Sequence, residues 1–305
     1  MTAHCDSEPQ FKRQPISKQA SYRKSDRDNR PGVTLALGGG FSRGFAHLGV
    51  LEVLRQESVR VEAIVGTSIG ALLGAAYSDG ISLRDLCDLG RLVRVRDFLR
   101  FNQSEDGERR KDRIGQFVRD WFRTTEVERL PIPTAIVTTD LDTGTPHVFT
   151  SGPLEVAIRA SCAFPGLVKP VEYKGRLLAD GCIVAPVPTA IAAKLHRGCV
   201  LGVSVVSNSA SDSSPVNVVK VVDPACNASI GDGLESSWSA NANILLEPQV
   251  HHIDWSDFSR VDEAFAAGAE AMRRALPFLR EFLAERPRMA PALGSSSHPG
   301  WEMAL

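Results

Sequence analysis

Residues 33–78 read VTLALGGGFSRGFAHLGVLEVLRQESVRVEAIVGTSIGALLGAAYS. A short apolar run from Val33 to Leu37 predicts a strand, which ends in three glycines and is followed by a helical pattern from about Arg43 to Glu57. A second apolar run, Val61 to Val65, continues into Gly66-Thr-Ser-Ile-Gly70, after which small residues predict another helix. Because a strand, a glycine loop and a helix follow one another twice, this stretch indicates an α/β fold with helices on the faces of a mostly parallel sheet.

The remainder of the chain continues this alternation, and its two ends depart from it. Further strands are predicted at residues 134–139, 147–150, 176–178 and 199–206, and further helices at about 153–161, 187–196 and 261–283. Residues 1–31 are polar and mixed in charge, so we expect a disordered tail there and a second one at residues 287–305. The sequence therefore predicts one folded domain at residues 32–286.

The overall composition excludes several classes of protein. The chain has 305 residues, 43% of them hydrophobic, and 35 Lys+Arg against 36 Asp+Glu give a formal net charge of −1. A dedicated nucleic-acid binder carries a basic excess that meets the phosphates, so no nucleic acid is expected as a partner. The longest uncharged apolar run, Ala63 to Tyr77, is shorter than the ~20 residues of a membrane span, and residues 1–30 lack the apolar core of a secretory signal. We therefore expect a cytoplasmic protein whose membrane contact, if any, is peripheral.

The cysteines are spaced without a metal-binding or redox pattern. No two of them form a CxxC pair; they are Cys5, Cys87, Cys162, Cys182, Cys199 and Cys226. Six cysteines in 305 residues are too few for a disulfide scaffold, so free thiols in a reducing compartment are the favoured interpretation. No zinc site is visible in the sequence, and no cofactor is expected.

The second glycine loop has the form G-x-S-x-G with Ser68 at its centre. Gly66 and Gly70 permit a tight turn from strand to helix, which lifts the serine hydroxyl clear of the backbone. The N-terminus of the following helix helps to hold negative charge that develops near this hydroxyl. In this setting the pattern predicts a nucleophilic serine, although glycine-rich turns without a catalytic role are common.

The first glycine loop, Gly38-Gly-Gly-Phe-Ser-Arg-Gly44, predicts a site for a negatively charged oxygen. Successive glycines expose backbone N–H groups that a substrate can approach closely, so Gly38, Gly39 and Gly40 are candidates for an oxyanion hole. Arg43 is expected to hold this loop in place or to meet a phosphate. A packing turn and a nucleotide-binding loop are the alternatives, but the spacing G-x-G-x-x-x-G differs from the dinucleotide pattern G-x-G-x-x-G.

A serine nucleophile needs a base, and Asp180 is the first candidate. Asp180-Gly181 follows a predicted strand, so the carboxylate could face the same crevice, although Asp-Gly is also a common turn. The order serine, acid, histidine with His251 or His252 would match an α/β-hydrolase. That fold places several strands before its serine, whereas only one or two precede Ser68 here.

Two further polar features have structural interpretations. His47 lies just inside the helix after the first glycine loop, where support of the loop or of the helix packing is favoured over catalysis. Asp140 and Asp142 are compatible with a metal site, but a glycine-containing turn with Asx hydrogen bonds explains them as well and is favoured.

Three stretches of the sequence occur together: Gly38-Gly-Gly-Phe-Ser-Arg-Gly44, Gly66-Thr-Ser-Ile-Gly70 and Asp180-Gly181. In this order and approximate spacing they resemble the patatin-like phospholipase family. Ala160-Ser-Cys-Ala-Phe-Pro-Gly166 adds to the similarity, which extends over about residues 33–285. One departure is Cys182-Ile-Val-Ala185, where the family more usually has a stretch rich in glycine and asparagine.

The resemblance implies a three-layer α/β/α sandwich and the hydrolysis of acyl esters, chiefly of phospholipids, lysophospholipids and other lipids. A catalytically idle lipid- or acyl-binding regulator that uses the same pocket is the alternative function. The segment Arg91-Leu-Val-Arg-Val-Arg-Asp-Phe-Leu-Arg100 fits a basic amphipathic helix that docks on an anionic membrane, but a helix that covers the sheet with its arginines in solvent is favoured. The sequence leaves the oligomeric state open.

The same resemblance implies roles for individual residues. Ser68 is expected to be the nucleophile and Asp180 its base, in a dyad without histidine. The residues expected to form the oxyanion hole, to support its loop or to shape the serine turn are Gly38, Gly39, Gly40, Ile69, Arg43, Gly44, Gly66 and Gly70.

Overall fold

The structure is a computed structural model that describes residues 32–93, 113–195, 198–206 and 241–285. The two predicted tails, residues 1–31 and 287–305, lie outside the described residues. Most of the basic segment from Arg91 to Arg100 lies outside them as well, and so do Cys5 and Cys226.

Eight strands in the described part of the chain form one sheet. They are Val33–Leu37 (β1), Val61–Thr67 (β2), Thr134–Asp140 (β3), Thr145–Phe149 (β4), Val171–Tyr173 (β5), Arg176–Asp180 (β6), Cys199–Val203 (β7) and Ile244–Leu246 (β8). The order across the sheet is β5-β6-β3-β2-β1-β7-β8, with β4 paired to β3 off this path. Strands β3, β2, β1, β7 and β8 run parallel, whereas β4, β5 and β6 make antiparallel pairs at one side. The sheet is therefore mostly parallel, as the sequence predicts.

The helices alternate with these strands. They are Ala46–Gln56 (α1), Ile69–Ser78 (α2), Leu83–Leu92 (α3), Arg113–Trp121 (α4), Leu154–Ser161 (α5), Thr189–Leu195 (α6) and Val261–Glu285 (α7). The sequence predicts that the first helix begins near Arg43, but a 3-10 turn, Phe41–Phe45, comes first and α1 begins at Ala46. No helix within the described ranges is long and apolar enough to cross a membrane.

Side chains on the two faces of the sheet enter two different cores. Leu35 and Leu37 of β1 belong to the larger core, to which helices α1, α2, α3, α5 and α7 contribute. Ala36, on the opposite face of the same strand, belongs to a smaller core together with Ala192 of α6. Because successive side chains of a strand point to opposite faces, this division gives a helical layer on each side of the sheet. The arrangement is the predicted α/β/α sandwich.

The strand register brings two distant parts of the sequence to the same place. Thr67, at the end of β2, pairs with Val137 of β3, and the next residue of β3, Thr138, pairs with Asp180 at the end of β6. Ser68 and Asp180 therefore lie on either side of β3. Strand β6 reaches this point while running antiparallel to β3.

Candidate active site

Ser68 occupies the turn between β2 and α2 and is 7% exposed. Its backbone has φ 54° and ψ −123°, a conformation that residues other than glycine rarely adopt. Its amide donates to Oγ of Ser161 at 2.8 Å, and that hydroxyl donates in turn to the Val137 carbonyl at 2.6 Å. A backbone held in a sparsely populated region by its surroundings is typical of functional sites. Ser161 is one of the residues that hold it there.

The glycines on either side of Ser68 allow close contacts between backbone segments. A Cβ atom on Gly66 would lie 2.5 Å from Cα of Ala71, and one on Gly70 would lie 2.3 Å from the Leu37 carbonyl oxygen. Real Cβ atoms essentially never come so close, so only glycine fits at either position. The G-x-S-x-G pattern is thus the sequence requirement of this turn.

The hydroxyl of Ser68 donates a hydrogen bond to Oδ2 of Asp180 at 2.6 Å. Asp180 is fully buried, and its Oδ1 accepts from the Cys182 amide at 2.9 Å. The backbone of Asp180 is fixed as well, because its amide donates to the Ala163 carbonyl and its own carbonyl accepts from Thr139. Burial raises the pKa of the Asp180 carboxyl to about 6, against which the hydrogen bonds from Ser68 and Cys182 act. The carboxylate is thus a stronger base than an exposed aspartate and is still ionised at neutral pH.

The first glycine loop lies directly against Ser68, because a Cβ on Gly39 would be 3.3 Å from the Ser68 Cβ. The amide of Gly38 donates to the Val203 carbonyl at 3.1 Å, and the amide of Gly39 donates to the Pro186 carbonyl at 3.0 Å. Two of the three predicted oxyanion donors are therefore engaged in holding the loop to its neighbours. Among the described residues, no acceptor faces the amide of Gly40 or that of Ile69, the first residue of α2. Of the predicted oxyanion donors, the amides of Gly40 and Ile69 therefore remain candidates.

Arg43 and Gly44 fix the loop against neighbouring segments of the chain. The Arg43 guanidinium is 2% exposed, and it donates to the carbonyls of Ile253 at 2.6 Å and His251 at 3.1 Å. Of the two predictions for Arg43, the structure matches the one in which it holds the loop in place. Gly44 lets the 3-10 turn approach α2, because a Cβ there would lie 2.3 Å from Cγ2 of Ile69.

His47 is a further residue behind the glycine loop. Its Nε2 lies 2.7 Å from the Gly38 carbonyl oxygen, and since a carbonyl only accepts, the ring carries its proton on Nε2. The ring is fully buried, and no partner for Nδ1 lies among the described residues. Burial lowers the pKa of His47 to about 4, so the ring is neutral at physiological pH.

Two cysteines that carry no predicted role border the serine and the aspartate. The Cys182 thiol lies close enough to Asp180 to influence the pKa of that carboxyl, and its Sγ lies 2.0 Å from the position of a Cβ on Gly39. The Cys162 thiol lies close to Ser68, and both residues line the apolar cavity described below. Burial raises the pKa of both thiols, so both remain protonated at neutral pH. The sequence offers two signals for them, the stretch Ala160–Gly166 and the departure from the family pattern at Cys182.

An apolar cavity of about 180 Å³ opens beside the serine, and Ser68 forms part of its wall. Most of the lining comes from helices α2, α3 and α4, which contribute residues such as Leu72, Leu86, Leu89 and Phe117. Near the serine, Phe41 and Leu167 complete the wall. The polar pair of Ser68 and Asp180 is thus placed at the edge of a space suited to hydrocarbon.

The sequence model of the family described as "Patatin-like phospholipase" matches residues 35–193. The chain belongs to the patatin-like phospholipase family. The matched segment contains both Ser68 and Asp180. This membership confirms the predicted resemblance and places the chain among lipid ester hydrolases at the level of the family.

Individual proteins similar to this patatin-like chain come from several organisms. An uncharacterized NTE family protein of Mycobacterium tuberculosis is 40% identical over 177 residues, which are 57% of this chain and 49% of that protein. A patatin-like phospholipase domain-containing protein of Caenorhabditis elegans is 32% identical over 57% of this chain and 13% of its own length. The lysophospholipase NTE1 of Scheffersomyces stipitis is 26% identical over 77% of this chain and 17% of its own length. The chain thus spans about half the length, or less, of these curated relatives.

Among solved structures, VipD from Legionella pneumophila superposes with a TM-score of 0.49 at 15% sequence identity. The superposition covers 83% of this patatin-like chain and 67% of the VipD chain.

The other polar residues considered in the sequence as catalytic or metal-binding candidates make structural contacts instead. His252 pairs with Glu263 on the surface, and the Ser68 hydroxyl reaches Asp180 with no histidine between them. Asp140 accepts from the amides of Asp142 and Thr143, the hydrogen bonds of the predicted Asx turn, and its other oxygen accepts from Arg176. No group of three metal-ligating side chains occurs within the described ranges.

Proposed function

We propose that this chain hydrolyses acyl esters of phospholipids or lysophospholipids, with Ser68 as the nucleophile and Asp180 as its base. The observation that carries the proposal is the 2.6 Å hydrogen bond from the Ser68 hydroxyl to the Asp180 carboxylate, at the edge of an apolar cavity. A nucleophile in hydrogen-bond contact with its base, on a strained turn at a helix N-terminus, is the arrangement that acyl transfer requires.

In the proposed reaction Asp180 accepts the Ser68 proton while Oγ attacks the ester carbonyl carbon. The carbonyl oxygen becomes an oxyanion, and the amides of Gly40 and Ile69 donate hydrogen bonds to it. The tetrahedral intermediate collapses, the alcohol leaves with the proton from Asp180, and Ser68 carries the acyl group. Water then attacks this acyl-enzyme while Asp180 takes its proton. The second tetrahedral intermediate collapses as the bond from Oγ to the acyl carbon breaks, Asp180 returns the proton to Oγ of Ser68, and the fatty acid leaves.

The raised pKa of Asp180 supports its role as the base. An exposed aspartate has a pKa near 4 and is a weak acceptor for the proton of an alcohol. With a pKa of about 6, Asp180 is closer to the value that general base catalysis at neutral pH favours, and it remains ionised there. Family membership supports the class of substrate, and one relative carries the name lysophospholipase.

Access of a lipid to Ser68 also bears on the proposal. Leu92, at the end of α3, lines the cavity and is 56% exposed. Exposed apolar side chains at the entrance of an apolar cavity favour transfer of substrate from a lipid surface. We therefore include peripheral membrane contact, from the cytoplasm, in the proposed function.

The test is the release of fatty acid from mixed phospholipid and lysophospholipid vesicles. The wild type is compared with Ser68→Ala and with Ser151→Ala, in which an exposed serine that does not line the cavity is changed. We expect release by the wild type and by Ser151→Ala, and loss of at least ~10³-fold with Ser68→Ala. Release that persists in Ser68→Ala would contradict the assignment. Absence of release from all three proteins, with no labelling of Ser68 by an active-site-directed phosphonate, would favour the idle lipid-binding alternative.

A further inference from the structure

The cavity beside Ser68 has an open end and a closed end. The closed end is formed by Phe45, Leu73, Leu86 and Phe258, which are between 2% and 6% exposed. The open end lies where α3 and α4 meet solvent and includes the exposed Leu92. Polar lining residues occur at this open end, on α4; they are Arg113, Gln116 and Asp120.

The polarity of the two ends decides which part of an ester can enter. At the closed end the four side chains are hydrocarbon, so a phosphate or another charged head group there would lose its hydration without gaining a partner. An acyl chain loses nothing by entering and gains the free energy of removing its methylenes from water, about 0.8 kcal/mol for each. With the ester carbonyl at Ser68, the acyl chain therefore points toward Leu73 and Leu86, and the alcohol part stays outside.

The volume of the cavity limits how much hydrocarbon it holds. A cavity of about 150 Å³ lined by leucine, isoleucine and phenylalanine side chains holds one benzene molecule. The cavity beside Ser68 measures about 180 Å³, so it takes one chain rather than two. Along α2, Leu73 lies five residues beyond Ser68, which corresponds to about 7.5 Å of helix axis. One short or medium acyl segment fills this distance.

We propose that the cavity binds the single acyl chain that is cleaved, and that Leu73 and Leu86 at its closed end set the length of chain accepted. This inference rests on the proposed hydrolysis at Ser68. Leu86 is the better residue to test, because it belongs to α3, whereas Leu73 belongs to the helix that begins at the serine.

The chain offers a matched control on the same helix. Leu83 and Leu86 are both on α3 and both buried, at 4% and 2% exposed. Leu86 lines the cavity, whereas Leu83 does not and instead borders a shallow charged groove beside Arg55 and Arg91. Leu83→Ala therefore removes the same atoms from the same helix without enlarging the cavity.

The experiment measures kcat/KM for p-nitrophenyl esters from butanoate to palmitate. We expect the wild type to prefer medium chains, and Leu86→Ala to raise the ratio of dodecanoate to hexanoate hydrolysis by at least about tenfold, the lower end of the effect of one methylene in an apolar pocket. Leu83→Ala should leave this ratio unchanged even where it lowers Tm. Leu86→Phe, which fills empty space rather than creating it, should lower the ratio, so the test holds even where Leu86→Ala folds poorly.

A second measurement separates this inference from the proposed hydrolysis. Binding of hexanoate and dodecanoate to the Ser68→Ala protein, with and without Leu86→Ala, is measured by calorimetry. If the esters are cleaved but the ratio does not respond to either change at Leu86, or responds equally to Leu83→Ala, the cavity assignment is overturned while the hydrolysis stands. If no ester is cleaved, the hydrolysis proposal fails, and a Leu86-dependent preference among the bound acids would still support the assignment of the cavity. Equal binding of both acids by both proteins would overturn it.

Discussion

The turn that carries Ser68 and the cavity beside it are constructed in different ways. Around the turn, the shape is fixed by backbone hydrogen bonds and by glycines that permit contacts no other residue allows. Around the cavity, most of the shape comes from apolar side chains of three helices, α2, α3 and α4. A hydrogen-bonded turn tolerates few substitutions, whereas an apolar wall tolerates many of similar volume. The chemistry of this site should therefore be sensitive to single atoms, and its substrate range to side-chain size.

The strongest test of this comparison is Asp180→Asn, which changes one atom at the centre of the turn. The amide can accept from the Cys182 amide and donate to Ser68, so the geometry is kept while the base is lost. We expect kcat to fall by ~10²–10⁴, the usual contribution of a general base. Asp142→Asn, at an exposed turn position, is the matched control and should leave kcat unchanged. Near-normal hydrolysis by Asp180→Asn would remove Asp180 from the mechanism.

The same variant should be more stable than the wild type, and the gain should depend on pH. Because the pKa of Asp180 is raised from 3.8 to about 6 in the folded protein, its ionisation opposes folding. The contribution of the protonated carboxyl is fully present below pH ~4 and is lost as the pH rises through about 6. The excess stability of Asp180→Asn should therefore grow between pH 4 and pH 7, to the order of 3 kcal/mol. A difference in Tm that is constant over this range would contradict the raised pKa.

The sequence predicts the turn that carries Ser68 better than it predicts the cavity beside it. The glycines around Ser68 are visible in the sequence because the close contacts they allow leave no other choice of residue. The cavity is not visible, because leucines on α2 and α3 would look the same in any packed core. Only the fold decides that Leu86 lines a space beside Ser68 while Leu83 of the same helix does not.

The sheet gives a second example of this limit. The sequence predicts that Asp180 follows a strand and faces the crevice of Ser68, and it does so from an antiparallel strand, β6. The direction of β6 depends on pairing with β3, which lies more than thirty residues earlier, and no local pattern encodes it. The proposed choice of Gly40 and Ile69 as oxyanion donors likewise rests on long-range contacts, since the amides of Gly38 and Gly39 donate to residues of distant segments.

A smaller effect is expected at His47, which tests whether the glycine loop needs support from behind. His47→Ala removes the donor to the Gly38 carbonyl, so the peptide that precedes the Gly40 amide is less firmly held. We expect kcat to fall about tenfold with little change in KM, because an oxyanion donor acts in the transition state. His47→Gln, which can place an N–H at a similar position, should restore part of kcat.

If His47 only supports the glycine loop, changing it should not alter how the rate of hydrolysis depends on pH. With a pKa of about 4, its ring does not titrate in the range where Asp180 does. The pH profile of His47→Gln should therefore keep the acid limb of the wild type. If the acid limb of the pH profile moves in His47→Gln, or if His47→Ala changes KM and not kcat, the ring does not act as a support for the glycine loop.

The smallest effect is expected at Cys182, and it is a shift in pH rather than a loss of rate. Since Asp180 must be ionised to act as the base, the wild-type rate should fall tenfold for each pH unit below about 6.

The groups that face Asp180 are Ser68, Cys182 and, at longer range, Cys162, and none of them is charged at neutral pH. The Cys182 thiol acts to lower the pKa of Asp180, so Cys182→Ala should raise that pKa and move the acid limb to slightly higher pH. Cys162→Ala, whose thiol contacts Ser68 instead, should leave the limb in place, and Cys182→Ser should bring it back. If both alanine variants move the acid limb equally, the thiols influence the pKa of Asp180 through burial of the site rather than through the contact of Cys182 with the carboxylate.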